Sequence, residues 1–107
     1  APSLHIIARL LELGAKIRCY DPEAMEHIRK YFGDLIEYAE DPYEALQNAD
    51  ALLILTEWNL FRTPDFQKLA DNLKSKTIFD GRNIYSLEQM HELGFYYESI
   101  GRKTIKQ

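Results

Sequence analysis

Apolar residues recur along the chain with two spacings, one typical of helices and the other typical of strands. In SLHIIARLLELG, residues 3–14, apolar side chains return every three or four positions, which predicts an amphipathic helix that ends at Gly14. Four further helices are predicted from cap-like starts: at Asp21-Pro22, at Asp41-Pro42 with Glu44 as the capping-box partner, at Thr63-Pro64 with an end near Leu73, and at Ser86 with an end at Gly94.

Five short apolar runs lie between and after these helices and are predicted to be strands. They are KIRCY at 16–20, LIEYA at 35–39, ALLILT at 51–56, TIF at 77–79 and FYYESI at 95–100. The third run opens with consecutive apolar residues, which indicates a strand covered on both faces, as in a parallel sheet. A loop with Trp58 and Phe61 is predicted after it, and residues 101–107 are predicted to be a tail.

The regular alternation of helix and strand predicts the fold class. It is typical of a doubly wound, Rossmann-like, mostly parallel α/β sheet with helices on both faces. The length of 107 residues predicts a single domain over residues 1–107. Ligands of such sheets bind beyond the carboxyl ends of the strands, so candidate binding residues are expected there.

Composition argues against several classes of protein. The formal net charge of −4 at pH 7 argues against a nucleic-acid partner, although a single arginine can still hold a small anion. No apolar run approaches the length of a membrane-spanning helix and the N-terminus does not resemble a signal peptide, so no membrane partner is expected. The single cysteine, Cys19, excludes an internal disulfide and favours the reducing cytoplasm.

The segment KTIFDGRNIY, residues 76–85, ends a predicted strand on Asp80, Gly81 and Arg82. Gly81 permits a tight exit from the strand, and Arg82 can present a fixed fork of donors over the sheet edge. A guanidinium there suits phosphate, carboxylate or ribose hydroxyls, with Asp80 holding the arginine or capping the next turn. A structural Asp80–Arg82 pair that only pins the loop is an equally good interpretation.

The other chemistry-bearing residues favour structural roles. Asp21 occupies the position at which a dinucleotide-binding fold grips a ribose, but none of the five glycines forms G-x-G-x-x-G, so helix capping is favoured. Cys19 lies inside a predicted strand and is expected to be a buried, inert thiol. Trp58 and Phe61 can stack on a base, although core or interface packing is favoured. No metal site is expected, because the histidines lie on different helices: His5, His27 and His91.

Four segments, in order, resemble one enzyme family. YDP after the first strand, ALLILTEWNLF in the middle, IFDGRNIY and the closing LGFYYESIGR are similar to the C-terminal domain of UDP-glucose 6-dehydrogenases, within the nucleotide-sugar dehydrogenase family. The resemblance covers nearly the whole chain, and the combination of TEW with FDGRN is specific where either motif alone is not. It fits the UDP-glucose enzymes better than those for GDP-mannose or UDP-N-acetylmannosamine.

The resemblance implies the UDP-sugar-binding domain of an enzyme that oxidises UDP-glucose twice at C6, to UDP-glucuronate, and reduces NAD⁺ at each step. In this family the arginine of FDGR contacts the nucleotide sugar, so Arg82 is expected to bind UDP-glucose, supported by Asp80 and Gly81. NAD is expected on an N-terminal Rossmann domain. The catalytic cysteine, lysine and asparagine are expected on a central helical region with much of the dimer interface, so the expected partners are these two domains and a second copy of the enzyme.

No catalytic residue is expected in the chain itself, and Cys19 does not match the family's catalytic cysteine. The family's domain begins with a strand and substrate-contacting residues that would precede Ala1, so the chain is expected to be truncated, inactive alone, and to lack the first strand of the sheet order 3-2-1-4-5-6. Two other interpretations stay open. One is a dehydrogenase of another UDP-sugar, and the other is a non-enzymatic α/β module for regulation or assembly, in which Asp80 and Arg82 are structural.

Overall fold

Helices and strands largely alternate along the chain, as the apolar spacing predicts, with two successive helices between the third and fourth strands. The computed structural model describes residues 2–56 and 59–99. The elements are α1 (Pro2–Glu12), β1 (Arg18–Cys19), α2 (Met25–Phe32), β2 (Glu37–Tyr38), α3 (Pro42–Leu46), β3 (Leu52–Ile54), α4 (Asn59–Arg62), α5 (Phe66–Asn72), β4 (Thr77–Asp80), α6 (Leu87–Glu92) and β5 (Tyr96–Ser99), with a 3₁₀ turn at Gly33–Leu35. The short α4 falls in the segment predicted to be a loop.

The strands form two parallel sheets. One pairs β1 with β2, and the other has the order β3-β4-β5. In the predicted sheet order 3-2-1-4-5-6, β1 to β5 correspond to strands 2 to 6. Each observed pairing then joins two strands that are neighbours in that order. The parallel α/β fold class is therefore confirmed. Among the described residues, no helix has the length and apolar content needed to cross a membrane.

The chain divides into two compact units, Ala1–Ala45 and Leu46–Gln107. The first unit has a small core formed by Ile7, Ile28 and Ile36, with half-buried apolar side chains packed against it. The buried side chains of the second unit include Leu69, Ile78, Met90, Phe95 and Tyr97, each no more than 1% exposed. The organisation as a single domain stays a prediction.

The sheet of the second unit has one buried face. Ile54, Ile78 and Tyr97 alternate along their strands with more exposed neighbours, and the strand registers align these residues on the same side. On the opposite side, Leu53 and Phe79 are each 38% exposed. The prediction that ALLILT is covered on both faces is therefore wrong for this chain, because alternate side chains of β3 differ in burial.

Two helices end as their glycines predict. Gly14 and Gly94 have φ values of 90° and 79°, a conformation that lacks a steric penalty only in glycine. At the first, the Gly14 N–H donates to the Leu11 carbonyl and the Ala15 N–H donates to the Leu10 carbonyl, a Schellman arrangement. The Ser86 hydroxyl accepts the Gln89 N–H at 3.2 Å, so the predicted start of α6 is confirmed.

Two helix starts lie later than predicted. The Asp21 carboxylate accepts the N–H groups of Glu23 and Ala24, but these bonds close a turn, and α2 begins only at Met25. The start expected at Thr63-Pro64 is displaced to Asp65, whose carboxylate accepts the Lys68 N–H at 3.1 Å. Aspartate is the better N-cap of the two candidates, which accounts for the displacement.

A third start lies where it was predicted but has a different cap. Helix α3 begins at Pro42, and the Asp41 carboxylate accepts the Tyr43 N–H at 2.7 Å. The Glu44 carboxylate accepts the N–H of Glu40, at 3.4 Å, instead of the Asp41 N–H that a capping box requires. The predicted helix start is confirmed. The predicted capping box is wrong, because Glu44 accepts the N–H of the residue before Asp41.

Candidate functional site

The carboxyl ends of three parallel strands meet at one edge of the sheet in the second unit. Ile54, Asp80 and Ser99 are register partners on β3, β4 and β5. All three are buried, and two of them are polar, which is unusual in a sheet interior. The chain leaves β4 at this edge through the residues that the sequence analysis singled out, residues 80–85, called here the Arg82 loop.

The Asp80 carboxylate organises the Arg82 loop. Its Oδ1 accepts the backbone N–H of Arg82 at 2.8 Å, and its Oδ2 accepts the backbone N–H of Ile84 at 2.8 Å. The Tyr97 hydroxyl donates to the same Oδ2 at 2.5 Å, a distance in the range of charge-assisted O–H···O⁻ bonds. Asp80 is 2% exposed, so these three donors replace the water that its oxygens would otherwise bind.

Gly81 brings the loop close to the neighbouring strand. Its N–H donates to the Ile54 carbonyl oxygen at 2.8 Å, which continues the β3–β4 ladder one residue beyond the end of the strand. A Cβ at this position would lie 3.1 Å from that same oxygen. Because the oxygen belongs to the backbone of β3, a side chain here would require the loop or the strand to shift by a few tenths of an ångström.

The far end of the Arg82 loop is fixed by packing. Asn83 has a φ of 58°, a left-handed conformation that asparagine tolerates better than most residues, and it turns the chain back towards the sheet. Tyr85 is then 2% exposed, with its ring edge-to-face against Phe66 at a centroid distance of 5.1 Å. A hydrogen-bonded carboxylate at one end and a buried ring at the other therefore restrain the loop.

Arg82 is the cation of this loop, and it is exposed. Its backbone N–H donates to the Asp80 carboxylate, so this hydrogen bond uses the main chain of Arg82 and not its guanidinium. A planar guanidinium has five donors, and it forms paired hydrogen bonds with phosphate or carboxylate oxygens. The arrangement can therefore bind an anionic group at the carboxyl edge of the sheet.

The structure also describes the surroundings of Cys19, Asp21 and Phe61. Cys19 is half-buried, and burial together with the negative charge of Asp21 raises the pKa of its thiol. The inert thiol that was predicted is therefore favoured. Asp21 caps a turn, as described above. Phe61 is half-buried, and Trp58 lies outside the described residues.

The three histidines were not expected to form a metal site. His27 stacks edge-on against Tyr31 at a ring-centroid distance of 5.2 Å. Within the part of the chain that the structure describes, no group of three or more His, Cys, Asp or Glu side chains could hold a metal ion. The absence of a metal site stays a prediction.

Tyr97 is the site residue that sequence reasoning missed. In FYYESI it reads as one of two adjacent tyrosines in a strand, and nothing in the pattern separates them. The register distinguishes them, because Tyr97 is paired with Ile78 on the buried face, where it lies two residues before Ser99. Only the pairing of β4 with β5 shows that its hydroxyl lies beside Asp80.

Residues 1–87, which include Asp80, Gly81 and Arg82, match the UDP binding domain of the UDP-glucose/GDP-mannose dehydrogenase family. The chain belongs to this family. The match confirms the family resemblance deduced from YDP, TEW and FDGRN, and Tyr97 lies beyond the matched residues.

Curated UDP-glucose 6-dehydrogenases are among the relatives of this family member. The enzyme of Rhizobium meliloti is 45% identical over 102 residues, covering 95% of this chain and 23% of the relative. That of Bacillus subtilis is 42% identical over 106 residues, covering 99% and 23%. That of Pseudomonas aeruginosa is 40% identical over 107 residues, covering 95% and 24%. The chain therefore spans about a quarter of the length of these relatives.

A solved structure has the same fold. The UDP-D-ManNAc dehydrogenase from Pyrococcus horikoshii superposes with a TM-score of 0.57 at 17% identity, covering 91% of this chain and 29% of the other. At this identity the likeness concerns the fold alone. It agrees with the parallel α/β class predicted from the alternation of helix and strand.

Proposed function

We propose that the chain is the nucleotide-sugar-binding domain of an NAD-dependent UDP-glucose 6-dehydrogenase, and that Arg82 contacts the UDP-sugar. The family match and the UDP-glucose 6-dehydrogenases among its relatives support this assignment. In this proposal the parent enzyme oxidises UDP-glucose to UDP-glucuronate in two steps. NAD and the catalytic groups belong to its other domains, and the chain alone is inactive.

The observation that carries the proposal is the way in which the Arg82 loop is built. The Asp80 carboxylate accepts hydrogen bonds from two backbone N–H groups and one hydroxyl, so contacts within the protein restrain the loop. The exposed Arg82 side chain starts from this fixed backbone at the carboxyl edge of a parallel sheet, where ligands of such sheets bind. A restrained loop loses little conformational freedom when it binds, which favours affinity.

The chemistry of the ligand fits the donor. A UDP-sugar presents phosphate oxygens and ribose hydroxyls, and a guanidinium forms charge-assisted hydrogen bonds with the former and ordinary ones with the latter. Arg82 then binds and orients the substrate and takes no part in the bond-making steps. The other domains of the parent enzyme, a homo-oligomeric state and a cytoplasmic location are further parts of this proposal.

The test is the substitution Arg82→Ala in the parent enzyme. Lys76→Ala is a matched control, because Lys76 immediately precedes β4 and is an exposed cation at the opposite end of the same strand. A charge-assisted contact contributes roughly 1.5–3 kcal/mol, so Arg82→Ala is expected to weaken UDP-glucose binding about tenfold or more. The KM for NAD⁺ is expected to stay close to that of the wild type, and kcat to change little.

Calorimetric titration of UDP, UDP-glucose and GDP measures these affinities directly. If folded Arg82→Ala and Lys76→Ala bind UDP-glucose equally well, Arg82 is structural and the site assignment is wrong. If the wild-type parent protein binds none of the three nucleotides, the non-enzymatic module becomes the better interpretation. Tighter binding of another UDP-sugar would keep the site and change the substrate.

A further inference from the structure

We infer that the Tyr97 hydroxyl is a positioning group that holds the Arg82 loop in its ligand-binding geometry. The inference rests on the proposed function for its consequence in binding, and on the hydrogen bonds of Asp80 for its structural content. Tyr97 lies outside the residues matched by the family's UDP binding domain.

The hydroxyl of Tyr97 reaches both ends of the loop. It donates to Asp80 Oδ2 at 2.5 Å, and its oxygen lies 3.4 Å from the backbone carbonyl of Tyr85. Tyr97 is 0% exposed, so bulk water does not reach this donor in the folded protein. The phenol ring stands on β5, which is paired with β4 over four residues, and the hydroxyl therefore has a rigid support.

The effect on Arg82 passes through one carboxylate. Oδ2 accepts from Tyr97 and from the Ile84 N–H, while Oδ1 accepts from the Arg82 N–H. Rotation of the carboxylate about its terminal bond would lengthen the bonds on both oxygens together. The Tyr97 hydroxyl opposes this rotation from β5, so its loss loosens the backbone from which the Arg82 side chain projects.

The same strand offers a matched control. Tyr96 precedes Tyr97 and points to the other face of the sheet, where its hydroxyl donates to Glu98 at 3.3 Å. Tyr96→Phe therefore removes the same atom from the same strand without touching Asp80. A difference between Tyr97→Phe and Tyr96→Phe reports the Asp80 contact and not the loss of a tyrosine hydroxyl in general.

The first measurement is amide hydrogen exchange of the parent protein without ligand. Tyr97→Phe is expected to speed exchange at the Arg82 and Ile84 amides roughly three- to tenfold, as expected for a weakened local hydrogen-bond network. The wild type and Tyr96→Phe should exchange alike at both amides. If Tyr97→Phe fails to fold, the NMR signal of the Tyr97 hydroxyl proton in the wild type takes its place: a slowly exchanging, downfield-shifted signal is expected for Tyr97 and not for Tyr96, and its absence overturns the inference.

The second measurement is UDP-glucose affinity in a double-mutant cycle. Tyr97→Phe is expected to weaken binding roughly three- to tenfold in the wild-type background and to have almost no effect in Arg82→Ala, because the two act through one contact. The KM for UDP-glucose should rise while kcat and the KM for NAD⁺ stay unchanged.

Unchanged exchange at both amides in Tyr97→Phe overturns the inference, as does an equal loss of affinity with and without Arg82. If Arg82→Ala alone leaves UDP-glucose binding intact, the proposed assignment of Arg82 to the substrate site fails. The exchange rates then still decide, independently, whether Tyr97 holds the loop.

Discussion

Asp80 and Cys19 are each the last residue of a strand, and their surroundings give them opposite roles. Three donors converge on the Asp80 carboxylate, which favours its role as an acceptor that shapes a loop. Cys19 has the negative charge of Asp21 beside it and is half-buried, and both effects oppose formation of a thiolate. The residue types alone do not show that Asp80 shapes a loop and that Cys19 is inert; their surroundings do.

We predict that Cys19 reacts slowly with alkylating reagents. Burial first, and the charge of Asp21 second, raise the pKa of the Cys19 thiol, so less thiolate is present at a given pH than in an unfolded chain. Alkylation by iodoacetamide followed against pH should have its midpoint at higher pH in the native protein than in urea.

Asp21→Asn is the informative variant for this prediction. Its amide oxygen can still accept the Glu23 and Ala24 N–H groups, but the negative charge is gone, so the midpoint should move down towards that of the unfolded chain. A native midpoint below the one in urea would show an activated cysteine and contradict the prediction.

At the scale of the element, the start of α5 allows a direct comparison of two neighbouring cap candidates. Asp65→Ala removes the acceptor of the Lys68 N–H and is expected to destabilise the protein by about 0.5–2 kcal/mol. Thr63→Ala removes the residue that the sequence pattern favoured as the cap and should have a smaller effect. Urea unfolding of both variants gives the two free energies of unfolding. A larger loss for Thr63→Ala would place the functional cap at Thr63.

The elements show which parts of the fold are encoded locally. The ends of α1 and α6 were predictable, because Gly14 and Gly94 satisfy the last carbonyls through a backbone conformation that glycine favours. The starts of α2 and α5 were displaced by two or three residues, because two capping side chains or a turn compete within one short segment. Neighbouring signals of similar strength are resolved only by the folded backbone.

The Arg82 loop likewise has residues that the sequence identifies and a supporting residue that it does not. Asp80, Gly81 and Arg82 were identifiable because they follow one another at the end of an apolar strand, where the fold class places ligands. Tyr97 was not identifiable, because its role depends on the register of two strands that are separated by α6. Local sequence thus encodes the loop, and tertiary pairing adds its support.

At the scale of the whole molecule, we predict that the purified 107-residue chain reduces no NAD⁺ in the presence of UDP-glucose. The sequence has no G-x-G-x-x-G segment, and Cys19 is held as a thiol. The chain also covers about a quarter of the length of its dehydrogenase relatives. NADH absorbance should remain at the level of a heat-inactivated sample, with the parent enzyme as the positive control. Turnover that co-purifies with the chain would refute the prediction.

The shared carboxylate of Asp80 also constrains the order in which this site can change during evolution. If residue 97 first loses its hydroxyl, Asp80 still has two backbone partners. The free energy of unfolding then falls by the contribution of one hydrogen bond, about 1.5–3 kcal/mol. If Asp80 is replaced first, three donors lose their acceptor together, at about 1–3 kcal/mol for each one left buried. A domain of marginal stability tolerates the first step far better than the second. Natural drift is therefore expected to pass through residue 97 and to leave the aspartate in place.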